Sequence, residues 1–308
     1  MNRILTVTAN PAIDRVYFVD DFVMGEVRRP RKTVFTPGGK GLNVSRVASL
    51  LGADVTAMGF AGGYTGDFIK AEIRKTGISE KFTDIQGETR ICVNITDKTG
   101  ASGEILEKGP SVTADEEKMF LDSFRNNIKE CDVITVSGSL PEGLTTDFYG
   151  KIAAISAQEN KKTIFDTSGK ALTEIVKAKP YMIKPNKDEF LQFTGQERFE
   201  AKKALLILKE LGVEVPFISL GKDGAAAMID GRFCRFSVPV VKVINSVGSG
   251  DSTVAGIATG ISRKMSLCDS IRLGMAAGIS NTQIESTGVI SKKQVEELYN
   301  SIEVTFPE

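Results

Sequence analysis

Between Thr113 and Gly224 the chain repeats one pattern: a stretch with helical spacing, then a short apolar run cut off by glycine, proline or a polar residue. Residues 114–128, 147–158 and 171–178 carry amphipathic periodicity and predict helices. Residues 133–136, 163–165, 182–183 and 216–220 are too short for helices and predict strands. They end in Ser137-Gly-Ser-Leu-Pro141, Asp166-Thr-Ser-Gly169, Lys184-Pro-Asn186 and Gly221-Lys-Asp-Gly224. Residues 188–193 and 199–211 add helices, and Asp230-Gly231 marks a hairpin. Such alternation requires a mostly parallel sheet covered by helices, an α/β fold. Ligands of these sheets bind beyond the carboxyl ends of the strands. Gly138, Asp166, Asn186 and Gly221 are therefore expected to converge on one crevice.

The loop Gly248-Ser-Gly-Asp251 follows residues 236–244, which are rich in β-branched residues and predict extended chain. It precedes an apolar stripe, Val254, Ile257, Ala258 and Ile261, at helical spacing. A glycine loop thus opens a helix, whose first-turn N–H groups and partial positive charge attract anions. Asp251 has two readings there. It is a cap that complements the helix dipole, or it takes a proton from a hydroxyl while the loop holds the charge on a phosphoryl group.

The chain contains no histidine. That excludes Ser-His-Asp and Cys-His nucleophilic machinery and every histidine metal site. A base must come from another side chain, which adds weight to Asp251. Lys plus Arg and Asp plus Glu both number 39, so no charge imbalance points to nucleic acid or a membrane surface. Cys92, Cys131, Cys234 and Cys268 are widely spaced, which speaks against a disulfide framework or zinc site and for a reducing cytoplasm. The opening segment, broken early by Asn10-Pro11, is expected to be a first strand rather than a leader.

A second glycine loop, Gly38-Gly-Lys-Gly-Leu-Asn43, also opens a helix, marked by Val44, Val47, Ala48 and Leu51. It satisfies neither the Walker A nor the dinucleotide pattern. Around it lie β-rich stretches, 16–19 and 27–34, then 82–85, 89–96 and 103–107. Asp14-Arg15 is expected in a turn, and 59–66 in a loop. Arg90, Cys92 and Asn94 share one strand face. Arg90 is either exposed and paired or turned to a site, where its planar fork suits phosphate.

Taken in order, Gly38-Gly-Lys-Gly-Leu-Asn43, Lys184-Pro-Asn-Lys-Asp-Glu189 and Gly248-Ser-Gly-Asp251 resemble the signatures of the ribokinase-like sugar kinases, the phosphofructokinase B family. The resemblance runs over nearly the whole chain. Asn10-Pro-Ala-Ile-Asp14, Gly87-Glu-Thr-Arg90 and Val247-Gly-Ser-Gly-Asp-Ser-Thr-Val-Ala-Gly256 are similar to its branch of tagatose-6-phosphate kinases and 1-phosphofructokinases, and Glu104-Ile-Leu-Glu-Lys-Gly-Pro110 leans toward the tagatose-6-phosphate kinases.

The resemblance implies one ribokinase-like domain over residues 1–308, with an inserted β-lid at 11–36 and 87–108 that often serves dimerisation. It implies ATP, Mg²⁺ and a ketohexose phosphate, tagatose 6-phosphate first, with fructose 1-phosphate and fructose 6-phosphate as alternatives. A catalytically silent sensor of sugar phosphate or nucleotide is the reading from another class, and an intact Asp251 argues against it. By the resemblance Asp251 is the general base, and Gly248, Ser249 and Gly250 receive the transferring phosphoryl. Asp14, Gly38, Gly39, Lys40, Asn43, Arg90 and Ser139 bind the sugar phosphate; Asp14 and Ser139 are otherwise turn residues. Asn186 and Glu189 organise magnesium through water, unless Glu189 is only a helix-start acid. Lys184, Ser219, Gly221, Gly224 and Asn281 border the nucleotide.

Overall fold

The computed structural model describes residues 2–307. The expected alternation is present. The N-terminal half runs β1 (Arg3–Thr8), β2 (Ala12–Phe18), β3 (Lys32–Gly38), α1 (Lys40–Leu50), β4 (Asp54–Ala61), α2 (Gly63–Lys75), β5 (Ser79–Glu80), β6 (Thr83–Asp84), β7 (Arg90–Thr96) and β8 (Ser102–Leu106). The middle runs α3 (Ala114–Asn127), β9 (Val133–Ser137), α4 (Phe148–Gln158), β10 (Lys162–Asp166), α5 (Gly169–Lys177), β11 (Met182–Ile183), α6 (Lys187–Thr194), α7 (Ala201–Glu210) and β12 (Val215–Ser219). The hairpin β13 (Ala225–Ile229) and β14 (Arg232–Ser237) leads to α8 (Ser249–Ser262), α9 (Leu267–Thr282), α10 (Lys292–Ser301) and β15 (Glu303–Thr305).

The main sheet has the order β15-β14-β13-β12-β11-β10-β9-β1-β4-β5, with β6 also on β4. It is parallel from β12 to β5 and antiparallel from β12 to β15. Because side chains alternate along a strand, neighbours enter opposite layers. Ile4, Ile164 and Met182 pack with α1 and α8 to α10, while Leu5, Phe165 and Ile183 pack with α3 to α7. Glycines let α8 and α9 touch: a Cβ on Gly256 would lie 2.5 Å from the Gly274 Cα. This close contact fixes the axis of α8, whose N-terminus meets the carboxyl ends of the strands.

A separate four-stranded sheet, β3-β2-β7-β8, combines two excursions from the body. Its central pair is parallel, Ala12 beside Arg90 and Asp14 beside Cys92. The chain enters this sheet at Pro11, returns at Gly38, leaves again after Gly87 and returns by Pro110. Among the described residues no helix is long and apolar enough to cross a membrane.

Three local expectations are corrected. Asp14 and Arg15 lie in a strand, since β2 pairs on both sides and that pairing outweighs the turn preference of Asp. Residues 59–61 extend β4 and α2 starts at Gly63; Gly59 is there because a Cβ would strike the Thr8 carbonyl, not because the chain turns. The strand at 236–244 stops at Ser237, and Pro239, which has no N–H to give a ladder, lies in the irregular chain beyond.

Candidate active site

The carboxyl ends of β1, β9, β10 and β11 deliver the site. Gly248 is in the left-handed region (φ 81°), and no side chain caps α8. The N–H groups of Gly250 and Asp251 find no acceptor among the described residues. The N-terminus of α1 is likewise uncapped, with Gly39 at φ 101°. By contrast, Thr113, Asn186, Ser266 and Ser291 cap α3, α6, α9 and α10 with their side chains. α2, α4, α5 and α7 also start without a side-chain cap, but the starts of α1 and α8 are the two glycine loops picked out from the sequence, and both suit an anion.

Asp251 sits in the first turn of α8 and is 5% exposed. Asn43 Nδ2 donates to its Oδ2 at 2.7 Å. Burial, and then the neighbouring Asp166 carboxylate, push its proton affinity up; the Asn43 hydrogen bond, Lys40 and Lys184 pull it down. Lys184 Nζ lies 3.3 Å and Lys40 Nζ 3.9 Å from Asp166 Oδ1. That oxygen is buried with no hydrogen-bond partner. Lys40 is raised chiefly by Asp166, so it stays a cation at the mouth of the crevice. A Cβ built on Gly250 would lie 3.2 Å from Lys184 Nζ, so this ammonium flanks the loop as well.

Opposite, Asp14 and Arg90 lie on one face of the small sheet. Asp14 is pushed up to about 6 by burial, against the pull of Arg46 and Arg90. Gly38 is part of its seat: a side chain there would overlap the Asp14 carboxylate. Arg90 donates from Nη1 to the Glu107 carbonyl and from Nη2 to the Asn10 carbonyl, both at 3.0 Å, while Nε is buried without a partner. Ser139 is exposed beyond β9, and Tyr149 Oη donates to the Gly138 and Ser139 carbonyls at 3.2 and 3.4 Å.

Asn186 and Glu189 form a reciprocal capping box: Glu189 N–H donates to Asn186 Oδ1 at 2.8 Å, and Asn186 N–H to Glu189 Oε2 at 2.9 Å. The cap therefore accounts for one oxygen of each and leaves Glu189 Oε1 open. Among the described residues no group of three or more His, Cys, Asp or Glu could hold a metal by itself. A hydrated magnesium ion bound mainly by water and phosphate still fits this sparse donor set. Ser219 bridges Asn186 beside Gly221, while Gly224 closes the turn by accepting from Leu220 N–H at 2.8 Å. Asn281 is fully buried, and its amide spans the glycine loop from behind: Nδ2 donates to the Val247 carbonyl and Oδ1 accepts from Gly288 N–H, each at 2.8 Å. This amide shapes the loop.

The sequence placed Asp166 in the crevice without giving it a chemical part, and it did not single out Arg46. Asp166 was legible as the carboxylate ending a strand one place from Lys184. Arg46 stands three residues after Asn43, the spacing that brings side chains onto one helix face.

A family model described as pfkB family carbohydrate kinase matches residues 4–294. The chain belongs to the pfkB family of carbohydrate kinases. A tagatose-6-phosphate kinase of Staphylococcus epidermidis is 40% identical over 307 residues, covering 98% of this chain and 99% of the relative. The tetrameric inhibited form of Escherichia coli phosphofructokinase-2 is 25% identical, with a TM-score of 0.89 over 98% of this chain and 99% of its own. A ribokinase of Thermotoga maritima, 21% identical, shares the fold with a TM-score of 0.78 over 96% of this chain and 99% of its own. The enzyme is thus a ribokinase-like sugar kinase.

Proposed function

We propose that this kinase transfers the terminal phosphoryl group of ATP to the free primary hydroxyl of a ketohexose phosphate, with tagatose 6-phosphate as the preferred acceptor. The observation that carries the reading is Asp251: a buried carboxylate of raised proton affinity in the first turn of an uncapped helix, with two lysines around it. Asp251 accepts the hydroxyl proton as the oxygen attacks. A base whose affinity is moved toward the working pH suits that transfer. The N–H groups of the Gly248–Asp251 turn receive the developing charge, and Lys184 and Lys40 add fixed cations beside it.

The sugar lies between Asp14, which accepts from its hydroxyls, and the Gly38-Gly-Lys-Gly loop, with Asn43 and Ser139 alongside. Arg90 and Lys40 hold the phosphate already present. Asn186 and Glu189 hold magnesium through water, and the metal supplies charge neutralisation at the ATP phosphates. Ser219, Gly221 and Gly224 border the nucleotide.

The small sheet, in our reading, serves as a lid over residues 11–36 and 87–108 and as the self-association surface. Phe35 and Ile105 are exposed on its strands, and Met24 and Val27 on the connection between β2 and β3. Light scattering on the purified chain tests this: Ile105→Lys is expected to convert a dimer to a monomer, and a monomeric wild type refutes it. The four unpaired cysteines fit a reducing cytoplasm.

The deciding experiment is a magnesium-ATP assay across tagatose 6-phosphate, fructose 1-phosphate and fructose 6-phosphate, with fructose and ribose as controls. A kcat/KM preference of about tenfold for tagatose 6-phosphate corresponds to about 1.4 kcal/mol of transition-state discrimination. Preference for another phosphate reassigns the acceptor. Activity on an unphosphorylated control alone removes the roles of Lys40 and Arg90.

A further inference from the structure

An asparagine amide can face either way, and which way it faces decides what it does to a carboxylate. Asn43 is 5% exposed and stands between two partners. Toward α8 it meets Asp251 Oδ2 at 2.7 Å, and toward its own helix it meets Arg46 Nη2 at 2.5 Å. A guanidinium carries only donors, so the end of the amide that faces it must be the oxygen. The NH₂ end is thereby turned to Asp251. In the flipped amide, Oδ1 would oppose the carboxylate, acceptor against acceptor, and NH₂ would oppose the guanidinium.

Arg46 is itself held in place. Nη1 donates to the Pro37 carbonyl, and Nη2 also donates to the Thr287 carbonyl at 3.3 Å. Pro37 precedes Gly38, whose missing side chain makes room for Asp14. Thr287 abuts the glycine loop, its Cγ2 lying 2.6 Å from a Cβ built on Gly248. One guanidinium thus spans the end of β3, the Asn43 amide and the segment behind the anion loop.

We infer that Arg46 is a positioning residue that holds the Asn43 amide in the one orientation that donates to Asp251. The inference rests on the kinase reading for what Asp251 does, not for how Asn43 is oriented. Asp251 Oδ2 is then engaged, and Oδ1, with no partner among the described residues, is the oxygen left to take a proton. The other charged groups around Asp251 are Lys40 on α1, Asp166 at the end of β10 and Lys184 beyond β11, with Asp14 on the far side of Arg46.

The test follows the Asp251 carboxyl by ¹³C NMR in protein labelled at aspartate, its resonance assigned by loss in Asp251→Asn. Arg46→Met is expected to raise the Asp251 midpoint by about one pH unit, the scale of one hydrogen bond to a charged group. In an Asn43→Ala background the same change is expected to move the midpoint by much less, because nothing is left to orient. An equal rise in both backgrounds means that Arg46 acts by its charge alone and overturns the inference, as does no rise in either. Should Arg46→Met not fold, Arg46→Gln decides: its neutral NH₂ can still donate to Asn43 Oδ1, so the midpoint should stay near wild type, and a rise of a full unit shows that the charge alone acted and refutes orientation by a donor. The acid limb of kcat against pH should move with the carboxyl midpoint. A wild type that turns over none of the sugars refutes the kinase reading, while the titration still decides the role of Arg46.

Discussion

Replacing Asp14 with asparagine should stabilise the ligand-free protein, and by an amount that depends on pH. Burial pushes Asp14 from 3.8 up to about 6 in the folded chain. The folded state therefore binds a proton more tightly at this site than the unfolded chain does. Unfolding stability changes with pH in proportion to the protons bound unfolded minus those bound folded. Between about pH 4 and pH 6 that difference is negative here, so the wild type loses stability as pH rises through the window. At about 1.4 kcal/mol per pH unit, the cost above pH 6 is about 3 kcal/mol.

Asparagine has nothing to titrate, so Asp14→Asn should gain relative to wild type across the same window. Urea unfolding at pH 4 and at pH 8 reads this directly. The stability difference between variant and wild type should grow toward pH 8 by about 3 kcal/mol. Comparing one pair of proteins at two pH values cancels any fixed packing difference between Asp and Asn. A difference that stays flat, or grows toward acid pH, would show that Arg46 and Arg90 already compensate the carboxylate, and the burial argument would fall. The same variant should bind the sugar phosphate poorly, since a buried acceptor for hydroxyl protons has been halved.

Asp251→Asn should lower kcat by about 10²–10⁴-fold, or about 3–5 kcal/mol in barrier, with an unfolding midpoint no lower than wild type; near-normal turnover removes the base assignment. Arg90→Ala should raise KM for the sugar phosphate far more than KM for ATP, and equal rises would make Arg90 a brace between Asn10 and Glu107 only. Gly38→Ala should displace the Asp14 carboxylate, so sugar KM rises and the pH-dependent stability loss shrinks together. Tyr149→Phe should raise sugar KM while leaving ATP KM unchanged, because the hydroxyl ties down the carbonyls of Gly138 and Ser139.

The strand ends were legible because each apolar run stops where its polar residue begins, as with Phe165 before Asp166 and Ile183 before Lys184. Asn186 and Glu189 were legible as a cap by their three-residue spacing. The pairing of β2 with β7 was not, because the partners are far apart in sequence and no local signal announces a parallel neighbour. Hence Asp14 looked like a turn residue until the second strand arrived beside it. The link from Arg46 through Asn43 to Asp251 was hidden for the same reason: it joins α1 to α8, near opposite ends of the chain. The loop-shaping bonds of Asn281 were not legible, because an amide that shapes a loop and one that contacts a ligand leave the same letter in a sequence.

The small sheet owes its existence to two excursions of the chain that leave the body and return to it, and this constrains the order of folding. Its central strands belong to different excursions, and the β1–β4 pairing of the body brings them to the same edge. The hairpins β2–β3 and β7–β8 close locally, but the loop-closure entropy of the long-range β2–β7 pairing is best met once the body has formed. The β2–β7 pairing is therefore expected late in folding and early to open. During synthesis and after mild stress, the β2 and β7 edges and the apolar side chains beside them stand uncovered while the rest of the kinase is native. The surface proposed to grip substrate and a second copy is thus also one that leaves this chain open to pairing with the wrong neighbour.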